Sequence, residues 1–365
     1  MFLQKGKLLK KLDILVVSAW TGGHIYPGIC ILEALKECVQ ELNVTFVTNK
    51  KGPAPAIVKK YNYRTVFVEA EAPLKQPLLV FKAFNLLRKS SPDVILGLGG
   101  FLSAVICVVG KFMGIPVFAH EQNLIPGRAN RTLYRLFILD RLFVSFKETK
   151  KLLKGDRCFY SGNPVRKEFF RVEKEKRSRF TILVIGGSQG SVTINSIFLQ
   201  ALKLLLNKGI NPYVIHQTGE VDFERVKKEY EKIGVSADVF GFSYNMPELL
   251  SKADLVISRA GASSIFELAA AGKPSILIPY PFATDNHQEK NALMLERIGG
   301  GVVILQSQLT PEKLAMFIEA FVHRPELLHI LGHNARKLAN PESARMIAEH
   351  IVNYMQMRLK RNETS

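Results

Sequence analysis

Cysteine is scarce in this sequence, and its spacing is not that of a paired site. Four cysteines occur among 365 residues, and no two of them form a CxxC pair. They are Cys30, Cys38, Cys107 and Cys158. Such spacing suggests neither a zinc site nor a disulfide framework, and it fits a reducing compartment best.

The sequence also lacks a hydrophobic run long enough to span a bilayer. Its most apolar stretch, residues 101–119, is interrupted by Lys111 and contains two glycines and a proline. A spanning helix needs about 20 apolar residues, so this stretch predicts a buried helix followed by a buried strand. Residues 1–11 carry lysines but lack the apolar core of a signal peptide. We expect neither a signal peptide nor a membrane-spanning segment.

Acidic residues are few relative to basic ones. Asp and Glu number 32 against 50 Lys and Arg, which gives a net charge of +18. An excess of this size points to an anionic partner, which composition leaves open as nucleic acid, anionic lipid or a charged small substrate. No zinc-finger, RRM or KH motif is present, so we expect no nucleic-acid partner.

Apolar runs of strand length alternate with helix-length segments in two series. The first series comprises residues 13–18, 44–48, 65–68, 94–97, 116–120 and 142–145, and the second comprises residues 180–185, 213–217, 239–242, 255–258, 275–279 and 302–305. Near-continuous Val, Ile and Leu strands between helices predict parallel sheets covered on both faces. Each series opens with a strand that runs into a glycine-rich turn, so the sequence predicts an α/β protein with two Rossmann-like domains.

The predicted domains span residues 1–164 and 165–340, with a C-terminal helix over 341–365 for which the first domain is the candidate packing partner. The basic stretch 166–179 lies between the two series. It fits either a hinge or a solvated loop.

Three glycine-rich loops follow predicted strands, at residues 18–28, 97–101 and 186–191. Glycines let a backbone approach a ligand closely, and a helix that begins after such a loop directs free N–H groups at an anion. A tight turn without a ligand is the alternative for the first loop. No GxxxxGK[ST] occurs, and the first loop does not match GxGxxG, which disfavours a P-loop and a dehydrogenase.

Polar residues cluster where other predicted strands end. Ser264 and Glu267 match the S-x-x-E capping box, but Glu267 also suits two ribose hydroxyls, and we favour the second interpretation. Residues 282–291 and the HEQN run at 120–123 place further hydrogen-bonding side chains at strand ends, where open sheets bind ligands. For HEQN, the alternative is a buried and satisfied polar cluster.

Taken in order, the motifs resemble the MurG family, the family 28 glycosyltransferases that add N-acetylglucosamine to lipid I and so form lipid II in peptidoglycan synthesis. The motifs are TGGH at 21–24, GLGG at 97–100, HEQN at 120–123, GNPVR at 162–166, GGSQG at 186–190, RAGASS at 259–264, GKP at 272–274 and HQ..NA at 287–292. The resemblance implies a GT-B fold with two sheets facing across a cleft. It places UDP-GlcNAc on the second domain and the lipid acceptor on the first.

The resemblance also implies site residues. The donor would contact Arg166, Ser188, Ser243, Ala262, Ser263, Ser264, Ile265, Phe266, Glu267, Gln288 and Asn291, with Ser188 on the diphosphate and Glu267 on the ribose. Thr21, Gly22, Gly23, His24 and Asn123 would close over the sugar. The sequence departs from the family at Ala19 and Trp20, where glycines are usual. We expect this departure to reshape the loop or to alter acceptor fit.

The implied reaction is an inverting displacement that needs a base and a stabilised leaving group. His24 has a suitable ordinary pKa of about 6.5, and Glu121 is the rival; His24 alternatively only orients substrate. None of the eight aspartates forms a DxD pair. Loop N–H groups and helix ends can hold the leaving diphosphate, so we expect no metal and no cofactor.

Residues 73–89 mix apolar with basic side chains, which predicts an interfacial helix on anionic lipid. The candidate membrane residues are Leu78, Leu79, Phe81, Lys82, Phe84 and Arg88. An ordinary buried helix with basic ends is the alternative. We expect a peripheral protein on the cytoplasmic face of a bacterial membrane, near other cell-wall synthesis proteins. Competing functions are a glycolipid synthase, a UDP-GlcNAc 2-epimerase and a non-catalytic nucleotide-binding membrane protein.

Overall fold

The computed structural model describes residues 9–18, 22–50, 54–68, 76–187 and 189–363. The chain forms two compact units. The first unit comprises Met1–Val165 and Asn340–Ser365, and the second comprises Arg166–Ala339. The chain therefore enters the second unit once and returns to the first before it ends.

Strands and helices alternate along the first unit. They are β1 (Leu9–Val17), α1 (Gly22–Lys36), β2 (Val39–Thr48), α2 (Ala54–Lys59), β3 (Arg64–Phe67), α3 (Gln76–Ser90), β4 (Val94–Gly97), α4 (Phe101–Phe112), β5 (Val117–Glu121), α5 (Arg128–Arg135), β6 (Arg141–Val144), α6 (Lys147–Leu153) and β7 (Cys158–Tyr160). The seven strands are parallel and lie in the order β3-β2-β1-β4-β5-β6-β7. Strands β1 to β3 are added toward one edge of the sheet, and β4 to β7 are added toward the other edge. The strand order therefore reverses between β1 and β4, and open parallel sheets bind ligands at such a switch point.

The second unit repeats this plan. Its elements are α7 (Lys167–Phe170), β8 (Thr181–Ile185), α8 (Val192–Asn207), β9 (Tyr213–Gln217), α9 (Phe223–Ile233), β10 (Ala237–Phe240), α10 (Met246–Lys252), β11 (Leu255–Ser258), α11 (Ala262–Ala271), β12 (Ser275–Leu277), α12 (His287–Arg297), β13 (Val302–Val303), α13 (Pro311–His323) and α14 (Pro325–Arg336). Its strands are also parallel, in the order β10-β9-β8-β11-β12-β13. The switch point here lies between β8 and β11.

The apolar strand runs are explained by burial on both faces of each sheet. Along β1, Ile14 belongs to the hydrophobic cluster on one face, together with Ile25 of α1. The next residue, Leu15, belongs to the cluster on the opposite face, together with Ile106 of α4. Successive side chains of a strand point to opposite faces, so a strand covered on both sides must be apolar at every position.

The last helix, α15 (Ser343–Glu363), belongs to the first unit. Ile347, Ile351 and Met355 lie one helical turn apart and join the cluster that contains β1 and α1. Just before the helix, the Asn340 side chain donates a hydrogen bond to the carbonyl of Ser161 over 3.0 Å. The C-terminal residues therefore complete the hydrophobic core that the N-terminal residues begin.

Candidate functional site

The described residues of the glycine-rich loop in the second unit, Gly186, Gly187 and residues 189–191, lie at the switch point between β8 and α8. Gly190 has φ of 78°, and a Cβ there would lie 2.0 Å from the carbonyl oxygen of Thr218, so no other residue fits without displacing the backbone. The Ser191 hydroxyl caps α8 by accepting a hydrogen bond from the N–H of Ile194. This edge of the sheet therefore presents a helix N-terminus, which favours an anion.

Arg259, directly after β11, lies beside this loop. Its guanidinium donates to the Ser191 hydroxyl over 2.7 Å and to the carbonyls of Ile278 and Pro279 over 3.2 Å each. Within the described part of the chain it has no carboxylate within 4.0 Å. Burial lowers its pKa to about 10, so it remains charged at neutral pH. A buried positive charge without a counter-ion makes this edge electropositive.

Glu267 lies on α11, the helix that begins after Arg259. The Arg166 guanidinium donates to Glu267 Oε1 over 3.4 Å, and both side chains are mostly buried. Burial raises the pKa of the Glu267 carboxyl, and the Arg166 charge opposes that rise. The capping-box interpretation is wrong, because the N-cap of α11 is Gly261 and no side chain caps the helix. Glu267 is thus available for a ligand rather than for its own helix terminus.

The other predicted donor contacts lie along the same edge. Ala262, Ser263 and Ser264 form the first turn of α11, whereas the side chains of Ile265 and Phe266 are fully buried. Ser243 follows β10, and its N–H donates to the side chain of Gln217. Gln288 and Asn291 lie three residues apart on α12, and Gln288 Oε1 accepts from the N–H of Tyr280 over 3.0 Å. Ile265 and Phe266 therefore contribute side chains to the core, and only their backbone can face a ligand.

In the first unit, His24 lies in the first turn of α1, at the switch point of that sheet. Its Nδ1 lies 2.7 Å from the carbonyl oxygen of Leu98. Because a carbonyl only accepts, Nδ1 carries the hydrogen, and a neutral ring has its lone pair on Nε2. Gly99, with φ of 97°, allows the close approach, since a Cβ there would lie 3.3 Å from His24 Cε1. The ring orientation and its tautomer are thus fixed.

Glu121, the rival base, is 2% exposed, and both its oxygens are occupied. Oε1 accepts from the N–H and the side-chain amide of Asn123, and Oε2 accepts from the N–H of Gly127 and the amide of Asn130. A carboxylate with four donors anchors the loop that carries Asn123. The rest of the HEQN run is less completely paired, since His120 Nδ1 and Gln122 Oε1 are buried and have no hydrogen-bond partner among the described residues.

Residues 76–89 of the predicted membrane segment belong to α3, which packs against α4, and residues 73–75 lie outside the described residues. Leu78, Phe81 and Phe84 are 50%, 62% and 42% exposed, and Lys82 and Arg88 are exposed between and beyond them. Leu79 differs from the prediction: it is buried and belongs to the core under α3, because it lies on the opposite side of the helix. No helix in the described ranges combines the length and apolarity needed to cross a bilayer.

Several predicted residues of the glycine loops are not described. Thr21 and Ser188 lie outside the described residues, as do Ala19 and Trp20. Gly22 and Gly23 open α1, immediately before His24. The structure therefore places the flanks of both loops but not their central residues.

Two residues at the edge of the second sheet were not assigned roles by the sequence. Arg259 stands within the RAGASS motif, and its position at a strand end was the available signal. Gln217 ends β9, and a buried glutamine at a strand end carries no motif of its own. Their partners are the Ser191 hydroxyl and backbone groups of other segments, which sequence patterns do not reveal.

Comparisons with known proteins agree with this architecture. The model of the glycosyltransferase family 28 N-terminal domain matches residues 14–137, and that of the family 28 C-terminal domain matches residues 181–351. The crystal structure of Acinetobacter baumannii MurG is similar with a TM-score of 0.77 and 26% identity, over 95% of this chain and 99% of that one. UDP-GlcNAc 2-epimerase from Neisseria meningitidis shares only the fold, at 15% identity and a TM-score of 0.67.

Curated relatives match over nearly the full length. A UDP-N-acetylglucosamine--N-acetylmuramyl-(pentapeptide) pyrophosphoryl-undecaprenol N-acetylglucosamine transferase from Syntrophus aciditrophicus is 38% identical over 352 residues, which cover 92% of this chain and 97% of the relative. A protein of the same name from Thermodesulfovibrio yellowstonii is 35% identical, with the same coverage.

The two Rossmann-like units, each with a glycine-rich loop and a helix N-terminus at its switch point, define an α/β protein of the GT-B class, and the predicted fold class is confirmed. The chain belongs to glycosyltransferase family 28.

Proposed function

We propose that this protein transfers N-acetylglucosamine from UDP-GlcNAc to undecaprenyl-pyrophosphoryl-MurNAc-pentapeptide, forming lipid II. The observation that carries the proposal is the electropositive edge of the second unit. There Arg259, which has no carboxylate partner among the described residues, bonds to Ser191 at the N-terminus of α8, and α11 begins three residues after Arg259. A nucleoside diphosphate is the anion that fits this edge, because Glu267 stands beside it to accept ribose hydroxyls. The names of the full-length relatives supply the sugar and the acceptor.

The proposed reaction is a direct displacement at the anomeric carbon. An acceptor hydroxyl oxygen attacks C1, the bond from C1 to the diphosphate oxygen breaks, and UDP leaves with the bonding electrons. The α8 N-terminus and Arg259 stabilise the departing charge, and we propose that no metal takes part. His24 Nε2 takes the hydroxyl proton, whereas Glu121 acts as a positioning residue for Asn123. The geometry that supports these roles is the Nδ1 bond of His24 and the four bonds to Glu121.

The decisive experiment measures UDP release from UDP-GlcNAc with and without a lipid I analogue. Release that depends on the analogue and persists in excess EDTA is the expected result. A diacylglycerol acceptor tests the glycolipid-synthase alternative, and analysis of the sugar nucleotide for the 2-epimer tests the epimerase alternative. Tight UDP binding without turnover on any acceptor would instead indicate a non-catalytic binding protein.

We also propose that the protein is a peripheral protein on the cytoplasmic face of the membrane, where the exposed face of α3 docks on anionic lipid. The first unit would then receive a membrane-borne acceptor. The support is the row of exposed Leu78, Phe81 and Phe84 beside Lys82 and Arg88. Apolar side chains enter the interfacial region, and basic ones pair with lipid phosphates.

The double substitution Phe81→Ser and Phe84→Ser is expected to weaken binding to vesicles that contain anionic lipid by about 30-fold, since each ring loses about 1 kcal/mol of apolar transfer energy. Co-sedimentation with phosphatidylglycerol vesicles measures the change. The matched control replaces Met316 and Ile330, two similarly exposed helical residues of the second unit, by serine and should leave binding unchanged. The proposal would be contradicted if vesicle binding did not depend on the anionic lipid content, or if both double variants lost the same amount of vesicle binding.

A further inference from the structure

Gln217 is a buried glutamine at the functional edge of the second sheet that the proposed reaction does not use. It is the last residue of β9 and is 2% exposed. In the sheet, β9 lies between β8 and β10, and Gln217 pairs with Ile185 on one side and with Phe240 on the other. Its side chain therefore stands between the two loops that leave these neighbouring strands.

The Gln217 carboxamide bonds to both loops. Its Nε2 donates to the carbonyl oxygen of Gly187 over 3.1 Å, and its Oε1 accepts from the N–H of Ser243 over 3.2 Å. Gly187 belongs to the glycine-rich loop after β8, and Ser243 belongs to the loop after β10. A carboxamide carries a donor and an acceptor on one rigid plane, and no other side chain of this length supplies both.

The bond to Gly187 bears on how the glycine-rich loop meets an anion. Such a loop binds through N–H groups, and a carbonyl oxygen turned toward a phosphate would repel it. The Gly187 carbonyl accepts from Gln217 and from the N–H of Gly190. These two hydrogen bonds keep the Gly187 carbonyl turned toward the protein. The N–H groups of the loop, and not this carbonyl oxygen, are then left to face an anion.

We propose that Gln217 is a positioning residue that holds the glycine-rich loop in its diphosphate-binding conformation and fixes its distance from the loop of Ser243. The inference rests on the proposed function in one respect, namely that the second unit binds a uridine nucleotide. The consequence is specific to phosphate: Gln217 contributes to affinity for UDP and much less to affinity for uridine, which has no diphosphate to place on the loop.

The test compares the Kd values of uridine and UDP by calorimetry on the full chain. In Gln217→Leu, the Gly187 carbonyl loses one of its two donors and the N–H of Ser243 loses its side-chain acceptor, so we expect the advantage of UDP over uridine to fall by about tenfold. Gln217→Glu keeps the length and the acceptor but removes the donor and adds a negative charge, and it should lower the advantage further. It also supplies the answer if the leucine variant does not fold.

The matched control is Asn334→Leu. The Asn334 carboxamide likewise donates to a glycine carbonyl, that of Gly299, over 3.2 Å, on a part of the second unit remote in sequence from the loop. It should lower the melting temperature without changing the ratio of the two Kd values. An unchanged ratio in both Gln217 variants would overturn the inference and reduce Gln217 to a contributor to stability. Failure of the unsubstituted protein to bind UDP would refute the proposed function itself, and this is measured first.

Discussion

The substitution His24→Ala is expected to lower kcat of the acceptor-dependent reaction by about 10²- to 10⁴-fold while changing the Kd of UDP-GlcNAc by less than about threefold. The reason is that general base catalysis contributes about this much, whereas the donor contacts that we propose lie on the second unit. The Leu98 carbonyl holds the His24 ring so that the lone pair is on Nε2. Initial rates of UDP release and calorimetric titration of UDP-GlcNAc measure the two quantities separately.

A control and a rival variant sharpen this prediction. His329, an exposed histidine on α14, should tolerate alanine with no loss of turnover. Glu121→Gln should lower the melting temperature and weaken acceptor binding, because an amide group cannot accept the four hydrogen bonds that the carboxylate receives. Unchanged turnover in His24→Ala would remove His24 from the mechanism. Loss of turnover in Glu121→Gln at full stability would point to Glu121 as the base.

The substitution Glu267→Gln is expected to raise KM for UDP-GlcNAc by about 10- to 100-fold at neutral pH, because two hydrogen bonds to a buried charged acceptor are weakened. The dependence of KM on pH should change as well. Only the ionised carboxylate accepts from both ribose hydroxyls, and burial raises its pKa above the ordinary glutamate value of about 4.3. We therefore expect affinity for UDP-GlcNAc to be lost as pH falls through that raised pKa.

The measurement is KM for UDP-GlcNAc as a function of pH, at saturating acceptor. In the unsubstituted protein KM should begin to rise at a pH where an ordinary glutamate is still ionised, and in Glu267→Gln this rise should be absent. Glu248, an exposed glutamate paired with Lys252 on α10, provides the control, since Glu248→Gln should keep both the KM and its pH profile. A Glu267→Gln variant with the parental pH profile would exclude Glu267 as the titrating group.

The sequence predicted the interior strands well because burial on both faces makes them continuous apolar runs. The predicted bounds of β4, β9 and β11 coincide with those observed. The edge strand β7 was missed, since its three residues Cys158–Tyr160 are too short and too partly buried to stand out. The polar beginning of β2 at Val39 was missed as well. It is held by backbone pairing to β1, from Leu9 onward, and backbone pairing leaves no pattern in side chains.

The positions of the loops that form the candidate site were also predictable from the sequence. Glycines and polar residues at strand ends mark the loops, and the topology brings them to one edge of each sheet. The contacts themselves were not predictable. Arg259 bonds to Ser191, which lies 68 positions away, and Gln217 joins two loops through backbone atoms. The S-x-x-E pattern at Ser264 fits a capping box as well as a ribose-binding glutamate, and only the structure shows that no side chain caps α11.

The place of α15 in the first unit constrains how the protein is made. A ribosome releases residues in order, and domains usually fold as they emerge. Here the first unit lacks one helix of the layer over a face of its sheet until Ile347, Ile351 and Met355 have been synthesised. The second unit, Arg166–Ala339, is complete before that moment. The half of the protein that is translated first is therefore the half that finishes folding last, and the apolar residues of β1 and α1 that α15 covers remain without this cover throughout the synthesis of the second half.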